Sequence, residues 1–251
     1  MKKKIKLIFL GRGKIASDCF DILNKKFYKK QFQLKAIVSD QIFFDNKKNI
    51  SKNTFKIINN KPKNNTILKI IKKTKVNILI SVLHPWILND KILKLLNYNC
   101  YNLHNGDLPK YKGWNTTSHT LINNEKKIST LIHQMVKNID EGPIVSQKKI
   151  KIYNNDTAEK LYKKIVKSAS INFNNFLSLY LKKKLKFKYI FKKKSFYKKK
   201  DLEYLKKLKV KIKQSEYKII LGSYMPPYEP AYTKYRNKKI YLLPEESFKN
   251  L

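Results

Sequence analysis

The chain has 251 residues, which is enough for one large domain or for one domain with a small appendage. Its formal net charge is +40, but every basic residue except Arg12 and Arg236 is a lysine, and 30 Ile and 25 Asn accompany them. Because Lys, Asn and Ile share A/T-rich codons, the positive charge is weak evidence for a nucleic-acid partner. Hydrophobic residues make up 42% of the chain, which excludes a disordered chain.

The N-terminal ten residues resemble a signal peptide only superficially. Lys6 interrupts the apolar run and Arg12 follows it, with no small-residue cleavage site. No apolar run approaches the ~20 residues of a membrane span. Cys19 and Cys100 are too few for a disulfide framework. We therefore expect a cytoplasmic protein without a membrane partner.

Strand-like and helix-like patterns alternate over the first 150 residues, which predicts an α/β domain with a mostly parallel sheet. The predicted strands are residues 5–10, 33–38, 76–83, 100–104, 129–136 and 143–150. The predicted helices between them are residues 15–24, 66–73, 89–96 and 115–123. A longer helix is predicted to start at Asp156 as N-cap, with Glu159 as its capping-box partner, and to run to about Leu181.

The composition changes at Lys182, since eleven of the nineteen residues 182–200 are Lys, interleaved with Phe and Tyr. This stretch fits a stacking platform for single-stranded nucleic acid, or a linker and strand. The period-two spacing of Leu185, Phe187 and Tyr189 favours the linker and strand. A helix over 202–210, a proline-rich loop at 225–230 and a hairpin over 232–243 are predicted beyond it.

Glycine and histidine are concentrated in few places. Five of the six glycines are Gly11, Gly13, Gly106, Gly113 and Gly142, and the histidines are His84, His104, His119 and His133. Gly11-Arg12-Gly13 is similar to a dinucleotide fingerprint, but Ala16 occupies the third glycine position. This pattern favours a tight strand-to-helix turn, at which an anion could bind. No close His/Cys pair supports metal ligation, so we expect no metal.

Asn102 and His104 occupy positions i and i+2 of a predicted strand and therefore project from the same face. They lie at its carboxyl end, where open α/β sheets bind ligands. Asp140 precedes a turn at Gly142. An amide, an imidazole and a carboxylate can stabilise an oxyanion and move a proton. None is a strong nucleophile, which favours direct transfer over a covalent intermediate.

These motifs resemble those of the folate-dependent formyltransferases. Tyr101-Asn102-Leu103-His104, then Leu108-Pro109-Lys110-Tyr111-Lys112-Gly113, then Asp140 thirty-six residues after His104, match the family's hallmarks. Asn105-Gly106-Asp107 departs from the usual residues after the His and leaves the shape of that loop open. The resemblance implies a Rossmann-like formyltransferase domain whose formyl donor is 10-formyltetrahydrofolate.

The resemblance also implies roles for particular residues. The catalytic trio would be Asn102, His104 and Asp140. The residues expected to bind the folate, besides Asp140, are Leu83, His84, Pro85, Trp86, Ile87 and Leu88. The residues expected to bind the acceptor substrate are Gly11, Gly13, Lys112, Gly113, Trp114 and Asn115.

The C-terminal region points to the acceptor. Met225-Pro226-Pro227-Tyr228-Glu229-Pro230-Ala231-Tyr232 resembles a stretch of the sugar N-formyltransferases. This implies a catalytic domain over 1–184, a small α+β module over 185–251, and a nucleotide-linked amino sugar as acceptor, usually for surface polysaccharide biosynthesis. Methionyl-tRNA formylation is the alternative, and a basic nucleic-acid-binding protein is the alternative of a different class. The tyrosines of this tail suit either a homodimer contact or a satellite cluster within one subunit.

Overall fold

The computed structural model describes residues 4–47, 50–58, 64–190 and 195–248. The chain forms two compact units, each assembled from several segments. The first unit contains Met1–His104, Leu131–Gln147 and Ala169–Tyr189. The second contains Asn105–Thr130, Lys148–Ser168 and Ile190–Leu251. The division at residue 184 between a catalytic domain and a C-terminal module stays a prediction.

The strands are β1 Ile5–Gly11, β2 Phe32–Ser39, β3 Phe55–Ile58, β4 Ile78–Val82, β5 Cys100–Asn105, β6 Lys112–Gly113, β7 Lys127–Gln134, β8 Ile144–Lys151, β9 Phe196–Tyr197, β10 Tyr232–Tyr235 and β11 Lys238–Tyr241. The α-helices are α1 Gly13–Leu23, α2 Lys26–Gln31, α3 Gln41–Asp45, α4 Asn64–Thr74, α5 Asp90–Leu95, α6 Thr116–Ile122, α7 Ala158–Leu181, α8 Lys199–Lys206 and α9 Tyr217–Ser223.

A seven-stranded sheet with the order β3-β2-β1-β4-β5-β7-β8 forms the framework of the first unit. Strands β3, β2, β1, β4 and β5 pair in parallel, and all of these except β3 were predicted from the sequence pattern. The order reverses direction between β1 and β4, so a crevice opens beyond the carboxyl ends of these two strands. The Rossmann-like fold with a mostly parallel sheet is confirmed.

The period-two alternation of the strands divides the core of the first unit between the two faces of the sheet. Ile8 and Leu10 pack on one face with Ile67 and Ile71 of α4 and Ile92 of α5. On the other face, the rings of Phe9, Phe20 and Phe43 pack with centroids 5.3 to 6.3 Å apart. A strand buried on both faces is what a central parallel strand requires.

Close packing explains why Ala16 stands where a dinucleotide fingerprint would have its third glycine. A Cβ built on Gly11 would lie 2.6 Å from the Cβ of Ala16, so the start of α1 is packed directly on the end of β1. A larger side chain at Gly11 or at Ala16 would push the helix away from the strand. The tight strand-to-helix turn predicted from Gly11-Arg12-Gly13 is confirmed.

Two local predictions were wrong. Thr157, rather than Asp156, caps α7, because its hydroxyl accepts the backbone N–H of Lys160. Asp156 instead accepts the backbone N–H of Tyr153 and pairs with Lys164. The strand expected around Leu185, Phe187 and Tyr189 is reduced to a single bridge between Ile144 and Lys188. Residues 191–194, in the middle of that lysine-rich stretch, lie outside the described residues.

The second unit has its own small core. Helix α9 packs on α6, where a Cβ on Gly222 would contact the carbonyl oxygen of Ser118 and the side chain of Ile122. Leu208, Ile220 and Ala231 form a buried cluster that Ile219 and Leu242 partly cover. The predicted hairpin is present as β10 and β11, and the proline-rich loop at 225–230 is present without regular structure.

No helix in the described ranges combines the length and apolar character that crossing a bilayer requires.

Candidate active site

Strands β4 and β5 place three polar side chains at their carboxyl ends. Ser81 of β4 lies opposite Asn102 of β5, and its hydroxyl donates to Asn102 Oδ1 at 2.8 Å. His104 follows two residues after Asn102 and is buried, with 6% of its surface exposed. The predicted projection of Asn102 and His104 from one end of this strand therefore agrees with the geometry.

Asp140 lies between two imidazole rings. Its Oδ2 is 3.8 Å from His104 Nδ1, and its Oδ1 is 3.4 Å from His133 Nε2. The Asp140 side chain is 9% exposed and its φ is +53°, a left-handed conformation that an aspartate adopts more readily than most residues. The structure thus brings Asp140 next to His104, and His133 lies between Asp140 and Asn102.

His133 is the residue that the sequence reasoning did not place in this site. It lies at the end of β7, which neighbours β5 in the sheet, and it is almost fully buried. Its Nε2 is 3.3 Å from Asn102 Nδ2, and its Nδ1 is 3.0 Å from the carbonyl oxygen of Gln134. The available signal was a histidine ending an apolar strand just before the segment that carries Asp140.

The predicted folate loop lies next to the crevice at the point where the strand order reverses. Leu83 leaves β4 with φ +51°, and its N–H donates to the carbonyl oxygen of Leu103. His84, Pro85 and Trp86 line a shallow, open crevice, together with Gly11, Arg12, Ser39 and Asp40. Farther along the loop, Ile87 is exposed and Leu88 is buried.

The crevice is lined by polar groups, and its two charged side chains, Arg12 and Asp40, face each other. Arg12 Nε is 3.0 Å from Asp40 Oδ2, and Asp40 also accepts the backbone N–H of Phe43 as the N-cap of α3. Among the described residues, neither buried ring nitrogen of His84 has a hydrogen-bond partner. Burial lowers the pKa of His84 to about 4, so at neutral pH the ring carries no charge.

Four of the six residues predicted to bind the acceptor lie in the second unit, namely Lys112, Gly113, Trp114 and Asn115. Lys112 is buried and Gly113 has φ +89°, and both pair with β9, where a Cβ on Gly113 would overlap the carbonyl oxygen of Tyr197. Trp114 is 41% exposed, and Asn115 precedes α6 with φ +52°. Gly11 and Gly13 stand at the end of β1 and the start of α1. Contact of these residues with an acceptor stays a prediction.

The turn before Gly113 is held by a stack of three rings in the second unit. Tyr197 stacks on Tyr111 with centroids 5.7 Å apart and on His119 with centroids 4.0 Å apart. The Tyr111 hydroxyl donates to Glu125, and Asn123 donates to the hydroxyls of both tyrosines. Burial lowers the pKa of His119, so this ring belongs to the packing of the stack.

The described part of the chain contains no group of three or more His, Cys, Asp or Glu side chains arranged to hold a metal ion.

A Rossmann-like sheet with Asn, His and Asp side chains at the end of β5 is the architecture of a formyl-transferring enzyme. The formyl transferase family matches residues 15–176, and the chain belongs to that family. It is 36% identical over 177 residues to the bifunctional polymyxin resistance protein ArnA of Wigglesworthia glossinidia brevipalpis, an alignment that covers 69% of this chain. It is 35% identical over 99 residues to the methionyl-tRNA formyltransferase of Thermotoga neapolitana, covering 39% of this chain. The chain spans only 27% and 32% of the lengths of these two relatives.

A solved structure extends the likeness of the fold along nearly the whole chain. The N-formyltransferase of Helicobacter canadensis, crystallised with folinic acid and dTDP-3-aminofucose, superposes with a TM-score of 0.71 at 21% identity. The superposition covers 94% of this chain and 86% of the Helicobacter chain. The predicted resemblance to formyltransferases, and to the sugar N-formyltransferase fold in particular, is confirmed.

Proposed function

We propose that the protein transfers a formyl group from 10-formyltetrahydrofolate to the amine of a nucleotide-linked amino sugar. The observation that carries the proposal is the grouping of Asn102, His104 and Asp140 at the carboxyl end of β5, in a chain of the formyl transferase family. The acceptor class is supported by the fold likeness to an N-formyltransferase crystallised with an amino-sugar nucleotide.

The folate fits the crevice and loop at 83–88 in its chemistry. A pterin is flat and carries several hydrogen-bonding groups, and the loop offers the exposed indole of Trp86 in the lining of the crevice. The residues that would hold it are Leu83 to Leu88 with Asp140. When bound, 10-formyltetrahydrofolate supplies an activated formyl group for attack by an amine.

The protein's own groups have distinct tasks in such a transfer. Negative charge develops on the formyl oxygen as an amine adds to the carbon, and N–H donors from Asn102 and His104 stabilise it. Asp140 would accept the proton that the amine nitrogen must lose, directly or through a water, and the same proton would balance the tetrahydrofolate nitrogen whose bond to the formyl carbon breaks. The two oxygens of Asp140 lie 3.8 Å from His104 Nδ1 and 3.4 Å from His133 Nε2, so an imidazole flanks the carboxylate on each side.

We further propose that the reaction takes place in the cytoplasm and serves the assembly of surface polysaccharide. Cys19 and Cys100 are both free and buried, and burial raises the pKa of the Cys100 thiol to about 12. A buried thiol of this kind behaves as a small apolar side chain, and a reducing compartment keeps it so.

The test is incubation with 10-formyltetrahydrofolate and a panel of nucleotide-linked amino sugars that differ in base and in amine position. Mass spectrometry should find a formyl gain on at least one sugar, and the Asn102→Ala variant serves as the matched control. Charged methionyl-tRNA forms a second arm, because the Thermotoga relative is a methionyl-tRNA formyltransferase. Formylation of methionyl-tRNA alone, with every sugar unchanged, would replace the proposal by that alternative.

A further inference from the structure

We propose that His133 is a positioning residue that decides which way the amide of Asn102 faces. The inference rests on the proposed function, since its importance lies in presenting an N–H rather than an oxygen to the reacting group. It is carried by the hydrogen bonds that connect Gln134, His133, Asn102 and Ser81 at the ends of neighbouring strands.

The first step is the tautomer of His133. Its Nδ1 is 3.0 Å from the backbone carbonyl oxygen of Gln134, and a carbonyl oxygen only accepts hydrogen bonds. The proton of the neutral ring therefore resides on Nδ1. Its Nε2 then presents a lone pair, and the ring is held in place because it is 2% exposed.

The second step is the orientation of Asn102. An amide carries a donor and an acceptor that can exchange places by a flip. A lone pair on His133 Nε2, at 3.3 Å, requires the NH₂ group of Asn102 on that side. Asn102 Oδ1 is then directed to Ser81, whose hydroxyl donates to it at 2.8 Å. Because a hydroxyl can donate or accept, Ser81 would satisfy either orientation, and only His133 distinguishes them.

The third step is the consequence for the reaction. One N–H of Asn102 is used by His133, which leaves the second N–H as a donor for the oxygen on which charge develops. A flipped amide would turn its oxygen toward that charge and repel it. The arrangement is a preorganised donor, whose loss typically costs 10²–10³-fold in turnover.

Asp140 competes for the same nitrogen. Its Oδ1 is 3.4 Å from His133 Nε2, and its other oxygen faces His104 at 3.8 Å. If His133 carried a proton on Nε2, that N–H would face Asp140 and the NH₂ group of Asn102 together, and the amide would have to flip. The proposal therefore requires the resting ring to be neutral, with its proton on Nδ1.

The decisive measurement is long-range ¹H–¹⁵N NMR of the histidine rings in the full-length wild-type protein, with His133 assigned by the signals missing from a His133→Leu or His133→Gln variant. A protonated Nδ1 and an unprotonated Nε2 are expected. Protonation of Nε2 would overturn the proposal. Because this measurement needs no turnover, it separates failure of this inference from failure of the proposed formyl transfer.

Kinetics provide the second test. We expect His133→Leu to lower kcat about 10²-fold while the KM values of both substrates change by less than about threefold. Ser81→Ala is the matched control. It should lower kcat by less than about tenfold, because the Ser81 hydroxyl adapts to either orientation of the Asn102 amide. In the Asn102→Ala background, His133→Leu should cost nothing further, since its effect passes through Asn102. Unchanged kcat in His133→Leu, or losses that multiply with Asn102→Ala, would overturn the proposal.

Discussion

Gly142 lies directly against the carbonyl oxygen of Gln134, so that a Cβ built on Gly142 would overlap that oxygen. The same carbonyl oxygen accepts a hydrogen bond from His133 Nδ1, and Gln134 N–H donates to the carbonyl oxygen of Pro143. A glycine two residues after Asp140 thus allows the segment that carries the carboxylate to pack on the residue that orients His133.

This packing predicts the effect of Gly142→Ala. The new methyl group would displace either Gln134 or the segment with Asp140, and a misplacement near 1 Å costs about 10²-fold in turnover. We expect kcat to fall by about that factor in a protein that still folds, because overpacking of this kind costs about 1–3 kcal/mol of stability. Turnover of the variant measures the fall in kcat, and its urea unfolding curve measures the loss of stability. Wild-type turnover in Gly142→Ala would show that the contact is not needed for the site.

Asp140→Asn tests the general base. An amide cannot take a proton at working pH, so turnover should fall about 10²–10⁴-fold. Folate binding, measured by titration with a stable analogue, should stay within about threefold, because an Asn side chain keeps the size and the acceptor oxygen of Asp. A variant that retains more than about a tenth of wild-type turnover would assign Asp140 a structural role.

The predicted elements that matched were those with a strong periodic pattern. Strand β4, with five buried residues, and helix α7, with its apolar face, were predicted within a few residues. Strand β3 was missed, since its four residues are mostly exposed at the edge of the sheet and show no alternation. Helix α2 was missed as well, because among its six residues only Tyr28 is buried.

The residues of the candidate site also differ in how far the sequence alone could place them. Asn102 and His104 are two residues apart on one strand, so local geometry alone places them together. Asp140 followed from family spacing, because thirty-six residues of intervening chain fix no distance by themselves. His133 was missed because its role depends on β7 lying beside β5, a long-range pairing, and on the carbonyl oxygen of Gln134.

His84 predicts a pH dependence of stability. Burial lowers the pKa of the folded protein's His84 to about 4 from an ordinary value of 6.5. Above pH 6.5 neither state binds the proton, and the penalty is absent. As pH falls from 6.5 toward 4, the unfolded chain takes up the proton while the folded protein does not, so stability is lost over that window, by about 3 kcal/mol at most.

The measurement is urea unfolding of wild type and His84→Gln at several pH values in that window. All other groups are common to both proteins, so the difference between the two curves isolates His84. We expect the free energy of unfolding of the wild type to fall more than that of the variant on acidification. Toward neutral pH the difference between the two proteins should reach a constant value. Parallel curves would place His84 in contact with solvent or with a partner that satisfies its charge.

Trp86 reports on the folate site. It is 37% exposed in the crevice lining, and the only other tryptophan, Trp114, is 41% exposed in the second unit. A folate analogue stacked near Trp86 should change the intrinsic fluorescence of the Trp114→Phe variant, which retains Trp86 alone. An unchanged spectrum of Trp114→Phe with bound analogue, binding having been shown by calorimetry, would remove Trp86 from the folate site.

The exposed face of the C-terminal hairpin predicts a dimer contact that can be tested without truncation. Deleting the tail would strip α9 from α6, because Gly222 packs on Ser118 and Ile122, and so would damage the second unit itself.

Point substitutions in the hairpin avoid this damage. Tyr235 and Ile240 are 55% and 49% exposed on β10 and β11, whereas the buried cluster around Ile220 satisfies the packing within the unit. Tyr235 and Ile240 are exposed apolar side chains on two short strands, and a second copy of the chain could cover them. We expect wild type to sediment as a dimer and the doubly substituted Tyr235→Ser, Ile240→Ser protein as a monomer with unchanged far-UV circular dichroism. Equal, monomeric masses for both would leave these side chains as exposed members of the hairpin and nothing more.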